Sequence, residues 1–169
     1  MRRIIGIDPG SRITGYGVID SDGRRSIHIA SGCIRLKQDE LPQRLGVIFH
    51  EIAELIKIHC PAEMAIEEVF VSKNANSALK LGQARGAAIC AGVVANLPVG
   101  EYAPRAIKQA VVGSGAADKD QVQHMVKRLL NLSCDLSADQ SDALAVALSH
   151  AHTDTTLNRL ARASAGGWR

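Results

Sequence analysis

R-I-I-G-I-D-P-G-S-R-I-T-G-Y-G-V-I-D, residues 3–20, is the stretch whose reading decides the fold. Ile4, Ile5 and Ile7 form a short apolar run that stops on a carboxylate, Asp8. Pro9-Gly10 reads as a turn: proline pre-sets φ at the second turn position, and glycine accepts the positive φ that a type II turn needs next. A second β-like run, Thr14 to Ile19, follows at once and closes on Asp20-Ser21-Asp22-Gly23. The pattern predicts a hairpin, with Asp8 where a buried strand emerges at the rim of a sheet. A carboxylate there costs free energy unless it caps the turn, is paired, or meets a metal.

Ile27 to Leu36 reads as a third strand, so the chain opens as an antiparallel meander. Leu41, Leu45, Ile48, Ile52, Leu55 and Ile56 recur at helical spacing, predicting a helix from about Gln43 to His59 that ends before Pro61. Met64-Ala65-Ile66 is another short apolar run, and it too ends in acids, Glu67-Glu68. A helix and then a strand after a meander signal a crossover to a parallel neighbour. Ser77 to Leu97 reads as a long helix crowded with Gly82, Gly86, Gly92 and alanines. Glycine costs about 1 kcal/mol in a helix interior, so close packing is expected, against the sheet or against the same helix of a second subunit. Pro98 to Tyr102 is a short strand, and Pro104 opens a helix to Val112. Asp118 with Gln121, and Ser137 with Gln140, fit capping boxes for two more helices, the last running to about His152. Thr153 to Arg169 has weak periodicity and reads as a loose tail after a domain spanning 1–152. The order of elements is mixed α/β: a meander, then parallel strands, with helices on both faces.

At 169 residues, 46% hydrophobic and 22% charged, the chain is of a size and composition for one soluble globular domain. No apolar run reaches a membrane span and no signal peptide opens the chain, so a cytoplasmic location is expected. Cys33, Cys60, Cys90 and Cys134 lie far apart, which disfavours a zinc site or a disulfide framework. Residues 70–128 hold eight Lys or Arg against three acids, a local charge of +5 in a chain of net +3. A basic middle of this kind suits a polyanion-binding face.

Asp8 and Glu67 both end strands. If those strands are parallel neighbours, both carboxylates emerge at the carboxyl edge of the sheet, where open α/β sheets place their ligands. Asp139 and Asp142, at i and i+3, share one face of the last helix. Asp139 in the first turn also complements the helix dipole. Asp142 heads Ala143 to Leu148, apolar all round, and so has little solvated surface to occupy. Spacing alone does not choose between Glu67 and Glu68. Four convergent acids without a cysteine or paired-histidine motif suit a hard divalent cation such as Mg²⁺, and two such ions could serve phosphoryl chemistry.

With these motifs in view the sequence resembles the RuvC family of Holliday-junction resolvases. The resemblance rests on I-G-I-D-P-G at Ile5–Gly10 with T-G-Y-G-V at Thr14–Val18, and on A-I-E-E-V-F at Ala65–Phe70. It continues in K-N-A-N-S-A-L-K-L-G-Q-A-R-G at Lys73–Gly86, Y-A-P at Tyr102–Pro104 and A-D-Q-S-D-A-L-A at Ala138–Ala145. The resemblance implies an RNase H-like fold with a mixed five-stranded sheet, a homodimer, and Mg²⁺-dependent nicking of two opposed strands of a four-way DNA junction. It implies one or two ions per subunit, with Mn²⁺ as a substitute, and partnership with the RuvA–RuvB branch-migration complex. It assigns the catalytic, metal-holding acids to Asp8, Glu67, Asp139 and Asp142, and so selects Glu67 over Glu68. Some members carry histidine at the last of these positions; here it is Asp142. Lys108 and Lys119 match lysines near the scissile phosphate, and Phe70 an aromatic that stacks on an unpaired base. Lys73, Lys80 and Arg85, in the basic segment, complete the expected DNA contacts.

Two other readings stay open on the residues alone. Asp8-Pro9-Gly10-Ser11 also resembles the phosphate loop of sugar kinases and actin-like ATPases, although those need a second such segment. A non-catalytic nucleic-acid-binding module is the third, and its mark would be the loss of one of the four acids.

Overall fold

The alternation of side chains along the first strand divides the protein into two cores. The computed structural model describes residues 1–37, 40–69 and 74–165, with the backbone alone from 154 onward. β1 (Arg2–Asp8), β2 (Ile13–Ser21) and β3 (Ser26–Arg35) make the meander. α1 (Leu41–His59) leads to β4 (Glu63–Glu67), and α2 (Ala75–Val94) to β5 (Val99–Tyr102). α3 (Pro104–Val112), α4 (Lys119–Leu129) and α5 (Ala138–Ala165) follow. The sheet order is β3-β2-β1-β4-β5. β1–β2 and β2–β3 are antiparallel, while β1–β4 and β4–β5 are parallel, as the crossover reading requires.

On one face Ile5, Ile7, Val18, Met64 and Ile66 pack against Ile48, Ile52 and Ile56 of α1 and Ala84, Ala88 and Ala91 of α2. On the other, Ile4, Ile19 and Ala65 meet α5, over which α3 and α4 close. Residues Ala143 to Ser149 of α5 are all buried, because this helix lies between the sheet and the α3–α4 layer. Period-2 alternation thus sends Asp8 and Glu67 to the α5 face, and α5 brings its own acids to meet them.

Three glycines make that meeting close. A Cβ on Gly6 would stand 2.3 Å from the Ala143 carbonyl oxygen, and one on Gly15 would stand 2.1 Å from that of Asp139. One on Gly17 would run into Leu144. Glycine within a strand marks close approach of another backbone, and here the backbone is that of α5.

Several boundaries and one turn differ from the sequence reading. Gly10 is not at positive φ; among the described residues the positive-φ glycines are Gly23 and Gly113. The β1–β2 turn is instead closed by Thr14, whose Oγ1 accepts from the Gly10 N–H and donates to its carbonyl, and by Arg44 Nη1 on the Ser11 carbonyl. Gly10 is needed for room, since a Cβ would lie 1.9 Å from the Ile13 oxygen. α1 starts at Leu41 because Pro42 fits the first turn. α2 starts at Ala75 because Asn74 Oδ1 caps the N–H groups of Asn76 and Ser77, and it stops at Val94 ahead of Asn96 at φ 58°. Both capping boxes form: Asp118 with Gln121, and Ser137 with Gln140. The expected end of α5 near His152 is wrong for the backbone, which stays helical to Ala165. Residues 153–165 hold no glycine or proline, so nothing local halts propagation before Gly166.

Candidate active site

Asp8 ends β1 and Glu67 ends β4, each one residue past the Ile7–Ile66 pair. Asp139 and Asp142 lie in the first two turns of α5. All four line one pocket, together with Lys108 of α3 and Lys119 of α4, Pro104, Ile107 and Ala145. The chain therefore gathers acids from three separate elements at the carboxyl edge of the sheet. Glu68 also reaches the pocket rim but is exposed, whereas Glu67 is half-buried on the α5 side.

The electrostatics follow from that crowding. Burial first, and then the charges of Asp142 and Asp139, push the Asp8 carboxyl up to about 7. Glu67 is pushed up to about 7 by burial, then by Asp8 and Asp142. Lys119 pulls both back, and Lys108 pulls Glu67. Lys119 Nζ stands 3.5 Å from Asp142 Oδ2. No side-chain hydrogen bond joins Asp8 to its own turn among the described residues, so capping does not explain it; Thr14 and Arg44 do that work.

No three His, Cys, Asp or Glu side chains among the described residues stand close enough to share one ion. Asp142 faces Lys119. The donor set is nonetheless all carboxylate oxygen, the type hard divalent cations take. The raised Asp8 and Glu67 are the electrostatic cost that such a cation offsets. The residues fit the group.

The pH dependence has a definite sign. An unfolded Asp or Glu titrates near 4, so between roughly pH 4 and 7 the folded chain binds more protons than the unfolded one. Stability from these groups is present below that window and lost as pH rises through 7. In chelator, the melting temperature is expected to fall between pH 5 and pH 8, and to fall less in Asp8→Asn. Thermal melts across that range check it, and a flat profile would remove the strain argument.

The other expected site residues separate. Phe70 and Lys73 lie outside the described residues. Lys80 is exposed on α2 and does not line the pocket. Arg85 is turned inward: its Nε donates to the Glu67 carbonyl at 3.1 Å and its Nη2 pairs with Glu101. Tyr16 packs over Gly32, as a packing residue would. His150 joins Tyr102 Oη to Glu63, and His152 meets the Ala110 carbonyl, so neither is spent on the pocket. What the sequence reading missed was the role of Gly6, Gly15 and Gly17; their place inside strands was the available signal.

An RNase H-like sheet whose carboxyl edge gathers four acids and two lysines in one pocket defines the class: a nuclease. Residues 4–150 match the family model described as Crossover junction endodeoxyribonuclease RuvC. The RuvC protein of Shewanella baltica (strain OS155) is 59% identical over 157 residues, covering 93% of this chain and 91% of its own. That of Shewanella loihica is 60% identical over 154 residues, covering 91% and 89%. Among solved structures, Thermus thermophilus RuvC in complex with a Holliday junction substrate superposes with a TM-score of 0.87 at 32% identity, covering 92% of this chain and 96% of that one. The yeast mitochondrial Holliday junction resolvase Ydc2, at 13% identity and a TM-score of 0.70, shares the fold, covering 94% of this chain and 81% of its own. The chain belongs to the RuvC family of crossover junction endodeoxyribonucleases. Nucleases of this family depend on divalent metal.

Proposed function

We propose that this chain resolves four-way DNA junctions by paired hydrolysis of phosphodiester bonds, with Asp8, Glu67, Asp139 and Asp142 as the catalytic acids. The observation that carries it is the arrival of those acids in one pocket from β1, β4 and α5. The four carboxylates would hold Mg²⁺, one or two ions, which when bound supplies water activation and stabilisation of the leaving oxygen. Lys119 and Lys108 act as point charges that steer a phosphate into the pocket, and they oppose the rise of the buried carboxyls, Lys119 at Asp8 and Glu67 and Lys108 at Glu67. The buried α5 backbone fixes the spacing of Asp139 and Asp142, and the sheet fixes that of Asp8 and Glu67. In homologous recombination and repair the substrate is the crossover itself, and the setting is the cytoplasm. No described helix is long and apolar enough to cross a membrane. Phe70, Lys73 and Lys80 remain candidates for junction contacts, and RuvA–RuvB for the partner complex. Incubation with a synthetic four-way junction and a linear duplex, in Mg²⁺ and in Mn²⁺, tests the reading. Paired nicks in the junction alone are expected; equal cutting of duplex would overturn it.

A homodimer matches the two-fold symmetry of paired nicks. α2 supplies the face. Ala84, Ala88, Ala91 and Gly92 turn inward, while a Cβ on Gly82 or Gly86 would meet nothing within 4 Å. Leu79 and Val93, on that same outward side at helical spacing, are 67% and 57% exposed. Four of the helix's small residues thus pack inward, on α1 and the sheet, and two are left for a second copy. Gly86→Leu is expected to raise the dimer dissociation constant at least about tenfold, roughly 1.4 kcal/mol. Sedimentation across micromolar concentrations reads it, and an unchanged association would move the interface off α2.

A further inference from the structure

We infer that Arg85 is a positioning residue for Glu67, holding a metal-binding carboxylate in place from the opposite side of the sheet. The inference rests on the reading of Glu67 as one of the four catalytic acids. Arg85 lies on α2, which packs on the α1 face, whereas the Glu67 side chain lies on the α5 face. Its side chain is only 20% exposed.

The contacts explain the burial. Arg85 Nε donates to the Glu67 carbonyl oxygen at 3.1 Å, and Nη2 donates to the Glu101 carboxylate of β5. The next atom along the chain is held as well: the Glu68 N–H donates to the Tyr102 carbonyl at 2.8 Å. So the peptide unit joining Glu67 to Glu68 is tied at its oxygen by Arg85 and at its nitrogen by β5. Pairing with β1 has already ended at Ile7–Ile66, so no β1 register pair holds this peptide. With both polar atoms fixed, the peptide plane cannot turn, and the Glu67 Cα–Cβ bond stays on the α5 face, in the pocket that Asp8 also lines. A charged donor on the carbonyl makes this bond stronger than a neutral one. Partners one step removed from a metal ligand set its orientation, and their loss typically costs about 10–100-fold in metal affinity.

The metal measurement uses the whole 169-residue chain without DNA. Mn²⁺ binding is measured by calorimetry for the parent, Arg85→Gln, Arg85→Lys, Glu101→Gln and Asp8→Asn. Junction affinity is measured in chelator at several salt concentrations. Arg85→Gln is expected to weaken Mn²⁺ binding by about 10–100-fold and to leave junction affinity and its salt slope unchanged. Arg85→Lys keeps the charge but not the planar fork, and is expected to bind Mn²⁺ as weakly as the glutamine variant. Should Arg85→Gln fail to fold, Arg85→Lys decides the same comparison. Glu101→Gln keeps an acceptor for Nη2 and is expected to lose only a small part. Parent-like Mn²⁺ binding in both Arg85 variants overturns the inference. So does a salt slope reduced by about one phosphate contact, which would give Arg85 back to the DNA. If Asp8→Asn loses Mn²⁺ while the Arg85 variants do not, the positioning role alone is wrong. If Asp8→Asn also binds like the parent, the four-acid reading falls with it.

Discussion

Asp142→Asn is expected to cut junction cleavage by about 10³-fold and to leave junction affinity equal or tighter. The size follows from what a bound divalent ion contributes to a phosphoryl transition state, several kcal/mol at about 1.4 kcal/mol per factor of ten. Asp142 is the most informative of the four acids because its surroundings offer it so little else. It heads a helix whose next seven residues are all buried. Its carboxylate meets Lys119 at 3.5 Å, and it raises both Asp8 and Glu67 by its charge. Asparagine keeps the shape and removes the charge, so folding should survive. Affinity should survive too, since phosphate contacts made by basic residues supply most of it. Removing one negative charge beside a phosphate can only lessen repulsion. Cleavage within a few-fold of the parent would take Asp142 out of the catalytic set, and weakened binding would make it a contact residue instead.

Asp8 and Glu67 were legible because apolar runs of three residues ended on them, and a strand that ends on an acid has few bland explanations. The parallel pairing that joins them was legible from the intervening helix alone. The choice of Glu67 over Glu68 came only with the family resemblance, because alternation needs a known face, and contact with α5 supplies it. Arg85 could not have been placed from sequence either: an arginine in a basic segment looks the same whether it faces solvent or a carbonyl. The over-short reading of α5 has a simpler cause. Periodicity fades after His152, but a helix already nucleated continues through residues of ordinary propensity until a breaker arrives. Ala84, Ala88, Ala91 and Gly92 of α2 pack inward, whereas Gly82 and Gly86 meet nothing within 4 Å, and the sequence pattern could not sort the two groups before the place of α2 against α1 and the sheet was known.

Gly15→Ala is expected to lower cleavage by about 10²-fold and to destabilise the fold by about 1–3 kcal/mol. A methyl at this position would sit 2.1 Å from the Asp139 carbonyl oxygen and 2.7 Å from its carbonyl carbon. Both are backbone atoms at the first turn of α5, so relief requires the helix start itself to lift from the sheet. Gly15 is also the register partner of Asp8. The displacement therefore falls between two of the four acids, and a shift near 1 Å at reacting groups costs on the order of 10²-fold. Gly46→Ala is the matched control, because its methyl enters open space within α1. It is expected to leave cleavage unchanged and to stabilise by up to about 1 kcal/mol. Thermal melts and single-turnover junction cleavage, run well below the lower melting temperature, separate the two effects. Loss of activity in a Gly15→Ala protein that is still fully folded is the expected result. Parent-like cleavage would mean that α5 can move away from the sheet without disturbing the acids, and that the strand glycines serve only packing.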